Sequence, residues 1–104
     1  MNYPKNNNKT FILLNIKNRY KDGMSKEEIY QVTKEAWRID KQKIKKVRHA
    51  IAIYSKNVKG IFSILRWYRN DDGRWGFDGK LVSPDMYKKY TNQEYRMYGP
   101  LGYL

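Results

Sequence analysis

The stretch Ile61–Lys80, IFSILRWYRNDDGRWGFDGK, constrains the fold of this chain more than any other. An apolar run, a polar turn at Asp71-Asp72-Gly73 and a second aromatic run follow one another directly, as a β-hairpin requires. On an unbroken strand, Ile61, Ser63, Leu65 and Trp67 share one face, and Phe62, Ile64, Arg66 and Tyr68 share the other. Both faces are largely apolar, so Ile61–Tyr68 is expected to be a central strand covered on both sides. Two tryptophans, Trp67 and Trp75, and two arginines, Arg69 and Arg74, flank the turn. Buried indoles would be core, because a Trp hides a large area. Accessible indoles beside guanidinium groups would form walls for a flat ligand such as a base.

The remaining chain supplies elements on either side of this hairpin. Residues 1–9 are polar and Asn-rich and are expected to be a flexible segment, leaving 10–104 as a single α+β domain. Phe11–Ile16 is a short apolar run that suits a well-covered strand. Ser25 with Glu28 has capping-box spacing and opens a helix expected to reach Arg38 or Ile39. On that helix Ile29, Val32 and Ala36 form one stripe, and Tyr30, Thr33 and Trp37 a second beside it. Asp40 is placed to cap a short helical turn running to Lys45. His49–Tyr54 alternates and is β-branched, hence a strand. A turn is expected over Ser55–Gly60. Ser83-Pro84 starts a short helix to Tyr90, and the Tyr-rich tail is expected to pack as an irregular strand or arm. The order predicts an α+β fold: a curved antiparallel sheet or small barrel with helices packed on one side.

Charge narrows the partners. The chain has 104 residues and a formal net charge of +12. Such an excess speaks to polyanionic partners and solubility, not to fold. Nucleic acid, DNA or RNA, comes first, an anionic membrane surface second, and a nucleotide, which needs only local positive charge, third. Lys41, Lys43, Lys45, Lys46 and Arg48 form the densest basic run, with no acid among them. Such a run is either a solvated face or a set of phosphate contacts. With no cysteine there is no disulfide and no thiolate metal site. The amino-terminal residues lack the apolar core of a signal peptide, and no apolar run approaches a membrane span. A cytoplasmic protein without membrane insertion is the expectation.

Catalytic patterns are sparse. His49 is the single histidine, and no Ser-His-Asp or Cys-His set can be assembled around it. No glycine-rich phosphate loop is present. Asp78-Gly79-Lys80 is half of a metal-dependent nuclease pattern that Asp71 or Asp72 would complete, although Asp-Gly is also an ordinary turn pair. The expectation is therefore a non-catalytic binder with no cofactor and no metal, nuclease activity being the rival enzyme reading. A small phage-type protein that binds a nucleotide or a host defence protein is the other rival.

One combination of residues extends beyond these elements. Tyr30-x-x-Thr33-x-x-x-Trp37, then HAIAIYSKNVKGIFSI, then Trp67, then Arg74-Trp75-Gly76-Phe77-Asp78-Gly79 span about half the chain. This pattern resembles small prokaryotic and phage domains of the PUA-like (ASCH/EVE-type) group. The chain departs from it at Lys34-Glu35, where the group has Arg-Gly, so no role of that arginine is carried over. The resemblance implies a pocket that holds a base, with Trp37, Trp67 and Trp75 as its candidates and the basic run as backbone clamp; Arg38, Arg69 and Arg74 complete the expected nucleic-acid contacts.

Overall fold

The computed structural model describes residues 9–104; the expected flexible segment lies almost wholly outside them. Five strands form one open sheet: β1 (Phe11–Asn15), β2 (His49–Tyr54), β3 (Asn57–Arg69), β4 (Trp75–Leu81) and β5 (Leu101–Tyr103), in the order β4-β3-β2-β1-β5. Two helices, α1 (Lys26–Thr33) and α2 (Pro84–Thr91), and a 3₁₀ turn over Lys41–Ile44 complete the described elements. The α+β class is as expected. The sheet is neither a barrel nor purely antiparallel, because β1 pairs with β2 in parallel. That pairing needs a crossover, and α1 with the 3₁₀ turn provides it. β2 is the middle strand; β3 is interior but one place off centre.

The helices do not share one side. Ile12 and Leu14 of β1, Ala50 and Ala52 of β2, and Phe62 of β3 pack with Ile29 of α1 on one face. Leu13, Ile51, Ile53 and Ile61 pack with Tyr87 and Tyr90 of α2 and Tyr95 of the tail on the other. The uninterrupted apolar sequence of β1 and β2 is the signature of strands covered twice. Each face then needs its own helix.

Departures from regular alternation set the details of β3, among them a register shift that leaves Lys59 unpaired between Val58 and Gly60. Ser55 and Lys56 alone connect β2 to β3, and both have positive φ, 51° and 71°. A two-residue hairpin turn of this hand matches strand twist but favours Asn-Gly, so the sequence signals pointed past it to Asn57 and Gly60. Further along, Ile64 faces Gly79 and Arg66 faces Asp78, which leaves Leu65 as the extra residue of a bulge. A bulge exchanges the faces of everything after it. Trp67 therefore joins Phe62 and Ile64 on the α1 face, its ring meeting Phe77 edge-on at 5.6 Å, while Leu65 is left 64% exposed.

The capping box of α1 forms as its spacing predicts, but the helix stops at Thr33 rather than near Arg38. The next residues leave it to cover the outer edge of β4. Trp37 and Trp75 exchange backbone hydrogen bonds of 3.0 and 2.8 Å, and Phe77 N donates to Lys34 O at 2.8 Å. The Tyr30 hydroxyl accepts from Gly79 N at 2.9 Å. Three outward amides of β4 are thus satisfied, and an edge open to other chains is closed. The close approach needs Gly76: a Cβ there would lie 2.7 Å from the Tyr68 ring and 2.8 Å from Lys34 O. It also needs Ala36 at φ 71°, a conformation that costs a non-glycine residue about 1 kcal/mol.

Candidate nucleic-acid interface

The last turn of α1 carries no basic residue, and no glycine follows it. Its carbonyls are met instead by Arg19, from the loop after β1. Arg19 Nη1 donates to Val32 O at 3.0 Å and Glu35 O at 2.6 Å, and Nη2 donates to Ala36 O at 3.0 Å. The guanidinium carbon sits over Trp37, 3.8 Å from the ring centroid. Trp37 is only 4% exposed, and its Nε1 donates to Thr33 O at 2.7 Å. With Arg19 on the ring and the core behind it, Trp37 has no face for a base, contrary to the role given it by the sequence. It is a core residue that Arg19 seals.

Trp67 and Trp75 are half-buried. Trp67 pairs with Phe77 and Trp75 with Arg69, so the two indoles are diagonal neighbours on one sheet face. They do not confront each other as two walls. Arg69 lies 5.7 Å over the Trp75 ring and donates to Gly73 O at 3.3 Å, which holds it to the hairpin. Trp67 Nε1 is buried without a hydrogen-bond partner among the described residues.

The basic run divides by position. Apolar Ile44 and Val47 turn into the α1-side core and carry the intervening lysines outward. Lys43, Lys45 and Lys46 line a groove of about 630 Å³ together with Lys9 and Tyr103. Lys43 Nζ stands 5.8 Å from the Tyr103 ring. Asp40, which caps the 3₁₀ turn through Gln42 N at 2.9 Å, is the groove's one acid. Burial raises the Tyr103 phenol, and the Asp40 charge adds to this, so it stays a neutral hydroxyl. Lys41 is exposed outside the groove lining, and Arg48 turns back toward Lys45 O and Val47 O, each 3.4 Å from its Nη1.

A second, smaller hollow of about 250 Å³ is lined by Asn15, Asn18, Arg19, Arg38, Arg74 and the rim of Trp37. Leu101 lines this hollow and Tyr103 the groove, two residues apart on β5. Groove and hollow are thus two separate cationic depressions that meet the same short strand, β5. Arg19 and Tyr103 carry no signal in the sequence: one is a single loop arginine, the other one tyrosine of a Tyr-rich tail.

The remaining candidates lie elsewhere. Asp78 sits between Arg66, 2.7 Å from its Nε, and Lys34, at 3.8 Å. Among the described residues no three His, Asp or Glu side chains gather as a metal site. His49 stacks on Phe11 at 5.1 Å, and burial lowers its pKa. No described helix is long and apolar enough to cross a membrane.

Set against protein-family models, curated proteins and solved structures, the chain matches none.

Proposed function

We propose that this protein binds nucleic acid, without catalysis, through the lysine groove and the arginine hollow. The observation that carries this reading is the groove itself: Lys9, Lys43, Lys45 and Lys46 line it with one aromatic ring, Tyr103, and a single carboxylate, Asp40. Lysines fixed along a groove neutralise successive phosphates, and an aromatic among them stacks a base at about 1–3 kcal/mol, whichever base it is. A half-open groove suits a polymer. A base enclosed between indoles, as the PUA-like resemblance implies, has less support, because Trp37 is sealed and Trp67 and Trp75 lie side by side.

Salt dependence tests the reading. Four lysine contacts give a slope of log affinity on log salt of about −3 to −4, or a loss of about 100-fold between 50 and 200 mM. Anisotropy titrations of short single- and double-stranded DNA and RNA measure it. Lys43→Ala, Lys45→Ala and Lys46→Ala should each lower the slope by about one, evenly across sequences. An absence of binding at low salt, or affinity indifferent to salt, overturns the reading. Retention of a stoichiometric host protein in place of nucleic acid would establish the rival instead.

A further inference from the structure

The arginine hollow differs in chemistry from the lysine groove. Three guanidinium groups, Arg19, Arg38 and Arg74, line it, and no Asp or Glu does. Just outside it, the Asp72 carboxylate is 3.9 Å from Arg74 Nε. Arg38 is exposed and has no ion pair among the described residues. Arg19 is fixed by three carbonyls and the Trp37 ring, so its orientation is set before any ligand arrives. A guanidinium has five N–H donors; three are used, and two are left for a ligand. Burial, and then the Arg74 charge, press the Arg19 pKa down. Two like charges, Arg19 and Arg74, thus oppose each other here, and among the described residues only Arg74 has a carboxylate partner, Asp72.

Such a site gains most from a group with more than one negative charge and several acceptor oxygens. A phosphodiester carries one charge. A phosphate monoester carries about −1.5 to −2 at pH 7 and offers three acceptor oxygens. Arginine forks match that geometry. At about 250 Å³ the hollow falls below the roughly 300–1,000 Å³ of pockets that enclose a whole small molecule. It suits the phosphate and the sugar beside it, with the rest of the ligand outside. We propose that this hollow is a subsite for a terminal phosphate monoester, gripped by Arg19, Arg38 and Arg74 with Asn15 and Asn18 at its rim. The inference rests on the nucleic-acid reading only for the source of the ester, which is either a strand end or a free nucleotide.

The test compares one short oligonucleotide bearing a 5′-phosphate, a 3′-phosphate or hydroxyl ends, alongside a nucleoside monophosphate. A phosphorylated end should bind about tenfold tighter than the hydroxyl-ended strand, the equivalent of one charge-assisted contact. That preference should shrink when the pH is lowered from 7.5 to 5.5, across the second phosphate pKa near 6. Arg38→Ala and Arg74→Ala should bring the ratio close to one, whereas Lys45→Ala should weaken all strands and leave the ratio in place. Arg38 is exposed, so its variant tests the site even if Arg74→Ala fails to fold. Equal affinity for phosphorylated and hydroxyl ends overturns the subsite and leaves the groove reading standing. If no strand binds at low salt but the nucleoside monophosphate does, and Arg38→Ala abolishes it, the subsite holds and polymer binding falls. A preference that survives both arginine variants, or no binding of any of these probes, overturns the inference.

Discussion

Replacing Arg19 should damage the fold out of proportion to its place in a half-exposed loop. Arg19→Ala removes three charge-assisted hydrogen bonds, of 3.0, 2.6 and 3.0 Å, and a cation–ring contact at 3.8 Å. The Glu35 carbonyl contact is exposed, so water takes over there. The Val32 and Ala36 carbonyl contacts are part-buried, and each acceptor left without its partner costs about 1–3 kcal/mol. Loss of the stacked cation adds about 1 kcal/mol. The expected total is about 3–7 kcal/mol, a large share of the roughly 5–15 kcal/mol that holds a domain folded. With a urea m-value of about 2 kcal/mol/M, the midpoint should fall by about 1.5–3.5 M. Urea titration followed by tryptophan fluorescence is the natural assay, since Trp37 loses the cation that covers it. Arg19→Lys should fall between, because an ammonium keeps the charge but not the planar fork. A shift below about 1 kcal/mol for Arg19→Ala, at unchanged m, would refute the claim that this arginine ends α1 and seals Trp37.

Three further outcomes follow from the same geometry. Lys56→Gly should stabilise the fold by about 1 kcal/mol, since it relieves a positive φ in the β2–β3 turn; a lowered midpoint in thermal melts would count against it. Gly76→Ala should destabilise by about 2–3 kcal/mol, because the Lys34 carbonyl it meets is backbone and cannot swing aside, and Trp75 and Phe77 amides should then exchange faster by NMR. His49 has its folded pKa pushed below the unfolded value near 6.5 by burial, so the unfolded chain binds the proton more readily. Stability should hold above that pH and decline as pH falls from about 7 toward the folded value, and melts of His49→Phe across pH 5–7.5 should lose this slope. Glu28 is depressed by its Ser25 cap, so its contribution is present above the ordinary carboxylate pKa and is lost as pH falls through and below it.

What the sequence revealed follows the range of the forces involved. Asp71-Asp72-Gly73, Ser25 with Glu28, and Ser83-Pro84 act over three or four residues, and the β3–β4 hairpin and both helix starts were legible from them. The end of α1 was not. Thr33 and Trp37 keep helical spacing, but residues 34–37 are drawn off the helix by an edge strand some forty positions away. The bulge at Leu65 was equally hidden, since a period-two reading assumes an unbroken strand and so placed Trp67 on the wrong face. The parallel pairing of β1 leaves no local mark. At the candidate site, the lysines of the 3₁₀ turn were visible as charge. Arg19 and Tyr103 acquire their positions only through packing of β1, α1 and β5.

The sheet order also implies a sequence of assembly. β2, β3 and β4 are joined by turns of a few residues, so their pairing closes small loops and loses little chain entropy. β1 reaches β2 only across residues 16–48, and β5 reaches β1 across most of the chain. The three-stranded meander is therefore the economical nucleus, and β1 and β5 are late additions to its free side. Changes in the β2–β3 turn should register in the folding rate. Changes in β5 should register in the unfolding rate. Tyr103 and Leu101 sit on that last strand, so the strand that both the lysine groove and the arginine hollow meet belongs to the part of the molecule that opens first.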